Sequence, residues 1–207
     1  GISYLTNLET LDLSGNEIEN LIPLSKVTSL KTLNLNNNNV FSIDSLSNLK
    51  ELEVLKLNNN KIKDISALSN LTNLKTLNLK NANVDDTNSF SSLANLTNLT
   101  SLNLRHTKID KLNVLSNLTN LKFLNVGVNS ISDISGLSTL TNLETLILGR
   151  EQKGIYDNKI NDLSPLYNLT SLKILNLRAT EVTNINILSN LTNLRLLNVK
   201  NNNISDI

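Results

Sequence analysis

Carboxylates recur at one fixed point along this 207-residue chain, and their regular spacing raises the possibility of a metal site. The position just before the second Ile or Leu of a recurring turn is, in order, Asn20, Ser42, Asp64, Asp86, Lys111, Asp133, Asp162, Asn184 and Asp206. Asp, Asn and Ser are the residues that cap the start of a helix. The flanking positions are poor in the further oxygen ligands that calcium needs. We therefore predict that these residues cap short 3₁₀ or α-helical turns, and we expect no metal and no cofactor.

Catalytic chemistry has little support elsewhere in the chain. His106 is the only histidine, it follows Arg105, and it has no nucleophile at a recognisable spacing. Cysteine is absent, and the sequence contains neither a glycine-rich phosphate loop nor a metalloprotease motif. Only six residues are aromatic, so the bases of a nucleic acid would find few stacking partners. We expect neither an enzyme nor a nucleic-acid-binding protein.

A repeated element must position all of these residues. The string LTNLxxLxL returns along the whole chain, and its copies start at Leu5, Val27, Leu49, Leu71, Leu96, Leu118, Leu140, Leu169 and Leu191. The intervals between starts are 22, 22, 22, 25, 22, 22, 29 and 22 residues. This period, with the pattern LxxLxLxxNxI, is the signature of a leucine-rich repeat. It predicts an α/β solenoid of about nine repeats, with a concave parallel sheet and short helical turns on the convex side.

Within each repeat the residue types indicate which positions face inward. In the third repeat Leu55 and Leu57 alternate with exposed residues, as a strand requires. The third position after the LxL motif is an asparagine in five copies, namely Asn16, Asn38, Asn60, Asn129 and Asn202. We expect these amides to bond main-chain groups between successive repeats. Ala82 replaces the amide once, and we expect its repeat to be the weakest.

The repeat is unbroken, so residues 1–207 are predicted to form one leucine-rich repeat domain and to be monomeric. The chain opens directly on one repeat and stops within another, without the atypical caps that usually close such arrays. We expect a fragment of a longer protein that lacks both caps. No stretch has the length and apolar character of a membrane span, so we expect no membrane insertion.

The wording of the repeats resembles a known family. NKIKDISALSNLTNLKTLNLKN at residues 60–81 and NSISDISGLSTLTNLETLILG at residues 129–149 resemble the 22-residue repeats of bacterial internalins, and the resemblance covers the whole chain. It implies a curved solenoid with a concave ligand-binding face, in a surface or secreted adhesion or invasion protein. It does not identify the ligand. The repeat length is shared with regulatory subunits of protein phosphatase 1, which leaves an intracellular scaffold or phosphatase regulator in the cytoplasm as the alternative.

The nearly neutral formal charge of +1 hides an uneven distribution. The exposed positions around the strand leucines carry eleven basic residues against four acidic ones. The basic ones are Lys31, Lys56, Lys75, Lys80, Arg105, Lys122, Arg150, Lys173, Arg178, Arg195 and Lys200, and the acidic ones are Glu9, Asp12, Glu53 and Glu144. Such a face favours an acidic protein partner, and an ordinary solvated surface is the other interpretation.

The middle of this face is a column of mostly asparagine residues. Its members include Asn34, Asn78, Asn103, Asn125, Asn176 and Asn198. These amides could bond along the column, or they could form a polar floor for a ligand.

Exposed apolar residues on the concave face gather in the later repeats. They are Phe123, Val128, Ile147, Ile174 and Leu196. Arginines flank them, and an apolar centre with such a rim is typical of a protein interface. We predict the partner-binding site here, made of Lys80, Arg105, His106, Phe123, Val128, Ile147, Arg150, Tyr156, Ile174, Arg178 and Leu196.

Two repeats carry extra residues. Seven lie within residues 149–158 of the 29-residue repeat, where Tyr156 could contact a partner or the insertion could simply be tolerated at the surface. Three lie within residues 85–93 of the 25-residue repeat, and the spacing of Phe90, Leu93 and Leu96 predicts one added helical turn.

Together these observations predict a protein-recognition module that binds a host or bacterial surface protein through its concave face. We expect an extracellular or cell-surface location, with the cytoplasmic scaffold as the alternative.

Overall fold

The structure is a computed structural model that describes residues 1–150 and 157–207. In these two segments nine strands form one open parallel sheet in sequence order. They are β1 (Thr10–Asp12), β2 (Thr32–Asn34), β3 (Val54–Lys56), β4 (Thr76–Asn78), β5 (Ser101–Asn103), β6 (Phe123–Asn125), β7 (Thr145–Ile147), β8 (Ile174–Asn176) and β9 (Leu196–Asn198). The predicted nine-repeat solenoid is confirmed.

All neighbouring strands pair in the same register. Leu11 lies opposite Leu33, Leu33 opposite Leu55, and so on to Leu175 opposite Leu197. The central leucine points inward and its two strand neighbours point outward, because side chains alternate across a strand. From β2 to β8 this leucine is fully buried. The outer face of the sheet is called the sheet surface below.

Short 3₁₀ helices return the chain on the side away from the sheet. In the described segments they are Ile2–Tyr4, Ile22–Leu24, Asp44–Leu46, Ser66–Asn70, Thr87–Asn95, Asn113–Leu115, Ser135–Leu137, Ser164–Leu166 and Asn186–Asn190. Most of the predicted capping bonds are present, but Asp64 and Asp133 lie one residue before the N-cap position, whereas Asp86 occupies it. Asp64 Oδ1, for example, accepts a bond of 2.6 Å from the Ser66 amide, and Asp133 Oδ1 accepts one of 2.8 Å from Ser135. Two hydrogen bonds from Ser135, the larger effect coming from its main-chain amide and the smaller from its side chain, lower the pKa of Asp133.

The 25-residue repeat contains the longest of these helices, Thr87–Asn95. Its Phe90 and Leu93 are buried in the core, so the three extra residues extend the return segment as the apolar spacing predicts. Asp86 caps this helix by accepting a 3.0 Å bond from the Asn88 amide. The added length lies opposite the sheet and leaves the strand register unchanged.

Buried asparagines connect successive repeats, as predicted, whereas Asn16 of the first repeat is exposed and bonds the carbonyls of Leu13 and Ser14 in its own repeat. Asn129 is 1% exposed, and its Nδ2 donates to the carbonyls of Leu104 and Val126, both at 2.9 Å. Its Oδ1 accepts from the amides of Thr107 and Lys108, at 3.0 and 2.8 Å.

Sequence reasoning missed one member of this series, Asn158. It is 2% exposed, and its Nδ2 donates to the carbonyls of Val126 (3.0 Å) and Leu148 (2.7 Å). The insertion displaces this asparagine from its usual distance after the strand, although it makes the same kind of bonds. In the repeat that contains Ala82 a main-chain bond takes the place of the missing amide side chain. Among the described residues, the Ile62 amide donates to the Ala82 carbonyl at 2.9 Å.

Candidate functional site

The sheet surface is organised in columns, because the strands share one register and each repeat contributes one residue to every column. Two columns carry most of the charge. The ladder column is the residue before each strand: Glu9, Lys31, Glu53, Lys75, Thr100, Lys122, Glu144, Lys173 and Arg195. The turn-edge column is the second residue after each strand: Ser14, Asn36, Asn58, Lys80, Arg105, Gly127, Gly149, Arg178 and Lys200.

The ladder column pairs much of its charge internally. Lys31 binds Glu9 at 2.8 Å, Lys75 binds Glu53 at 2.8 Å, and Lys173 binds Glu144 at 2.5 Å. The bond from Lys173 and its positive charge lower the pKa of Glu144, while the bond to Glu9 raises the pKa of Lys31. These exposed pairs contribute little stability. Three of the eleven predicted cations are therefore already in ion pairs, and a ligand could bind them only by breaking those pairs.

The side chains of the asparagine column mainly accept hydrogen bonds from main-chain amides of the turns that follow their own strands. Asn103 Oδ1 accepts a 3.1 Å bond from the Arg105 amide, and Asn176 Oδ1 accepts a 2.9 Å bond from the Arg178 amide. Among the described residues one bond within the column itself is present, from Asn34 Nδ2 to Asp12 Oδ2 at 3.0 Å. The expectation of amides bonding along the column is therefore wrong for most members. The side chains instead hold the chain where it leaves each strand.

Apolar residues occupy three of the four positions of one row in the later repeats. The row consists of the first residues of β6 to β9, Phe123, Thr145, Ile174 and Leu196, which lie opposite one another in register. Ile174 is 37% exposed and Leu196 is 50% exposed, whereas Phe123 is half-buried. Ile147, also half-buried, stands beside the row in the asparagine column. Of the predicted apolar residues, Ile174 and Leu196 are direct neighbours in the row, Thr145 lies between Phe123 and Ile174, and Val128 lies elsewhere.

Val128 departs from the prediction. It was expected to be exposed on the concave face, but it is only 8% exposed and its φ is 58°. A β-branched residue rarely adopts this left-handed conformation. The side chain lines a cleft of about 330 Å³ at the turn side of the sheet instead of joining the apolar row. The cleft is lined by Asn83, His106, Lys108, Val128, Asn129 and Ser130.

The remaining predicted site residues lie along the turns. Lys80, Arg105 and Arg178 are members of the turn-edge column, while His106 and Arg150 each follow that column by one residue. His106 Nδ1 lies 3.3 Å from Asn81 Oδ1, at the end of a series of asparagine side chains that begins at Asn37. Arg150 binds Asp157 at 2.6 Å. Tyr156 lies outside the described residues.

Two negative observations apply to the described segments. None of their helices has the length and apolar character needed to cross a bilayer. Nor do these segments bring together three or more His, Cys, Asp or Glu side chains in an arrangement that could hold a metal ion.

Comparisons with known proteins agree with this architecture. The family model described as Leucine Rich repeats (2 copies) matches residues 6–51 and 50–92. No curated protein shows significant similarity.

Several solved structures are similar along nearly the whole chain. The internalin InlF of Listeria monocytogenes is 39% identical with a TM-score of 0.80, covering 100% of this chain and 65% of InlF. Internalin C2 of the same organism is 31% identical with a TM-score of 0.84, covering 92% of this chain and 80% of internalin C2. A leucine-rich repeat protein of Leptospira interrogans is 26% identical with a TM-score of 0.84, covering 97% of this chain and 51% of the other. This chain therefore spans less than two thirds of the InlF structure.

Proposed function

Because the chain belongs to the internalin-like leucine-rich repeat proteins, we propose that it is the ligand-binding repeat domain of a bacterial surface or secreted protein and that it acts in adhesion or invasion. Its ligand is a host or bacterial surface protein, held on the sheet surface of the later repeats. The similarity to InlF and internalin C2 favours this proposal over the intracellular scaffold or phosphatase regulator.

One observation carries the proposed site, namely the apolar row across β6 to β9. Ile174 is the strongest element of the row, because β7 and β9 both flank its strand and its side chain is nevertheless 37% exposed. With Phe123 and Ile147 it gives the apolar centre that recognition surfaces require. The earlier strands mostly carry threonine or serine at the equivalent position, as in Thr32 and Ser101. The later repeats are therefore the part of the sheet surface best suited to exclude water around a partner.

Site-directed photo-crosslinking tests both the partner class and the face. A benzophenone amino acid replaces Thr145, in the middle of the apolar row, or Asn113, on a 3₁₀ helix at the opposite side. On incubation with host cells and with bacterial surface extracts, we expect a discrete protein adduct from the Thr145 probe and none from the Asn113 probe. Adducts from Asn113 alone would place the ligand on the wrong side of the solenoid and reject the proposal.

The affinity of the identified protein then tests the row itself. The double variant Phe123→Ala/Ile174→Ala is expected to bind about 2 kcal/mol or more weakly, because buried apolar anchors dominate interface energies. The matched control is Ile22→Ala/Tyr167→Ala, which removes two exposed apolar side chains from the return side. Equal losses in the two double variants would contradict the site. Deleting residues 151–157 restores the 22-residue period and is expected to weaken binding if Tyr156 is a contact.

A further inference from the structure

The charge balance of the ladder column changes along the array. Its members in the first four repeats are Glu9, Lys31, Glu53 and Lys75, and those in the last four repeats are Lys122, Glu144, Lys173 and Arg195. The net charge is 2 − 2 = 0 in the first group and 3 − 1 = +2 in the second. The excess positive charge of this column therefore lies in the repeats that carry the apolar row.

The two cations in excess are Lys122 and Arg195, and both residues are exposed. The acidic member of their group, Glu144, bonds Lys173 at 2.5 Å. The bond from Lys173 and its charge contribute most to lowering the pKa of Glu144, and the charge of Lys122 contributes least. Within residues 1–150 and 157–207, neither Lys122 nor Arg195 takes part in an ion pair. A ligand carboxylate can therefore contact these two side chains without breaking an existing pair.

These two cations lie at opposite ends of the apolar row. Lys122 precedes Phe123, the first residue of the row, and Arg195 precedes Leu196, the last one. Their α-carbons are three strand spacings apart, about 14 Å. Ile174, with 37% of its surface exposed, lies between the two ends. The row therefore has an exposed apolar centre with one unpaired positive charge at each end.

The spacing of the charges indicates which ligand would fit. A partner complements such a surface if it places apolar side chains on the centre and a carboxylate on each cation. An extended chain rises about 3.3 Å per residue and turns alternate side chains to the same face. Two acidic residues four positions apart in an extended segment are therefore about 13 Å apart, close to the separation of the cations, and the residue midway between them faces the same way.

We propose that the apolar row binds an extended segment of the protein partner in which two Asp or Glu residues, four positions apart, pair with Lys122 and Arg195. The residue midway between the two carboxylates is apolar and packs on Ile174 and Thr145. The proposal rests on the proposed function, because it names the chemistry of the partner that this surface binds. The row supplies buried apolar area, while the two cations speed association with acidic segments and disfavour basic ones.

Selection from a random dodecapeptide library displayed on phage tests this chemistry without the natural partner. On the unaltered protein we expect the enriched sequences to carry two acidic residues four positions apart, with an aliphatic or aromatic residue midway. Selection on the Lys122→Gln/Arg195→Gln variant should lose the acidic pair. The matched control, Lys31→Gln/Lys56→Gln, removes the same charge and should keep it. These lysines lie at β2 and β3, at least three strand spacings or about 14 Å from β6, which exceeds the Debye length of about 8 Å at physiological salt.

The affinity of the most enriched peptide, synthesised and measured by calorimetry, gives the size of the effect. Lys122→Gln/Arg195→Gln is expected to weaken its binding roughly tenfold, while Lys31→Gln/Lys56→Gln should change it less than about twofold. A peptide with both acidic residues replaced by their amides should bind the unaltered protein and Lys122→Gln/Arg195→Gln equally well, because the paired charges are then absent from one side.

Three outcomes would overturn the proposal. They are a selection that enriches no sequence or enriches sequences without the acidic pair, equal losses of affinity in the two double variants, and tighter binding of an oligodeoxythymidylate with the same number of charges, which would assign the surface to nucleic acid. A protein adduct from the Thr145 probe together with a failed selection would reject the acidic segment alone. A successful selection together with adducts from the Asn113 probe alone would reject the proposed function and leave the peptide specificity as a property of the sheet surface.

Discussion

Replacing Asn158 with alanine tests how the solenoid continues across its 29-residue repeat. The side chain donates two hydrogen bonds and accepts a third, of 3.0 Å, from the Ile131 amide. The Val126 carbonyl keeps another donor in the variant, because Asn129 Nδ2 also binds it. The Leu148 carbonyl and the Ile131 amide lose their bonds to Asn158. Each buried polar group left unsatisfied costs about 1 to 3 kcal/mol, so after some relaxation we expect a loss of about 2 to 4 kcal/mol.

Equilibrium urea unfolding followed by far-ultraviolet circular dichroism measures this loss, with two comparison variants. Asn129→Ala is the positive comparison, because Asn129 holds the preceding repeat in the same way and should cost a similar amount. Asn142→Ala is the negative one, because this exposed residue makes a single 2.9 Å bond to the Thr119 carbonyl and should cost less than about 1 kcal/mol.

The stability of a repeat array is a sum of local terms, so a change in m-value would show that one end unfolds separately. In that case amide exchange at Ile131 measures the local effect directly. The reasoning is refuted if Asn158→Ala is as stable as Asn142→Ala while Asn129→Ala is strongly destabilised. Asn158 would then not be needed for stability, and the repeats on either side of the insertion would not be coupled through its hydrogen bonds.

Two further predictions concern the core and the ladder column. Leu102→Ala should cost roughly 2 to 5 kcal/mol in urea melts, because Leu102 is fully buried. Asn103→Ala should cost about 0.5 to 1.5 kcal/mol, because the Arg105 amide loses its bond to this side chain. Equal losses in the two variants would contradict the assignment of Leu102 to the inner face and Asn103 to the outer face. The lowered pKa of Glu144 means that its pair with Lys173 stabilises the fold above the ordinary pKa of 4.5 and stops doing so as the pH falls through the lower folded-state pKa. The difference in unfolding free energy between the unaltered protein and Lys173→Gln should therefore shrink as the pH is lowered below 4.5 and vanish once Glu144 is protonated in the folded state. A difference that does not fall with pH below 4.5 would contradict the assignment.

The elements that sequence reasoning predicted correctly depend on local or strictly periodic signals. The register of the strands follows from the leucine spacing, because a slip of one residue would expose every inner leucine. The caps follow from residue type, since Asp64 and Asp133 bond amides only two residues away. Phe90 follows the same apolar spacing even within a longer repeat. Each of these inferences needs information from one repeat or from its nearest neighbour.

The features that escaped prediction depend on how neighbouring turns meet. Asn158 was missed because seven extra residues separate it from the strand that normally identifies its position. Val128 was predicted to be exposed because its place in the repeat is outward. Its φ of 58° matches that of the equivalent Asn37 and Asn59, so the path of the chain is regular there, and the repeat pattern gave no sign that this side chain is buried. Asn103 was expected to bond along its column or to form part of a polar floor, and the repeat pattern did not show that its side chain binds the Arg105 amide. A total of charges also could not show that Lys31, Lys75 and Lys173 were already paired.

The alternation of charge in the ladder column has a consequence for how the array can change in length. By the leucine spacing alone, removal of any single repeat would leave identical contacts at the new junction. The charges make the new junction less favourable, because deletion of residues 44–65 would place Lys31 beside Lys75, and like charges on adjacent strands repel. Deletion of residues 22–65 would instead place Glu9 beside Lys75 and restore an ion pair. For repeats two and three the smallest unit that can be lost or duplicated without bringing like charges together is therefore a pair of repeats, twice the unit that the hydrophobic core defines.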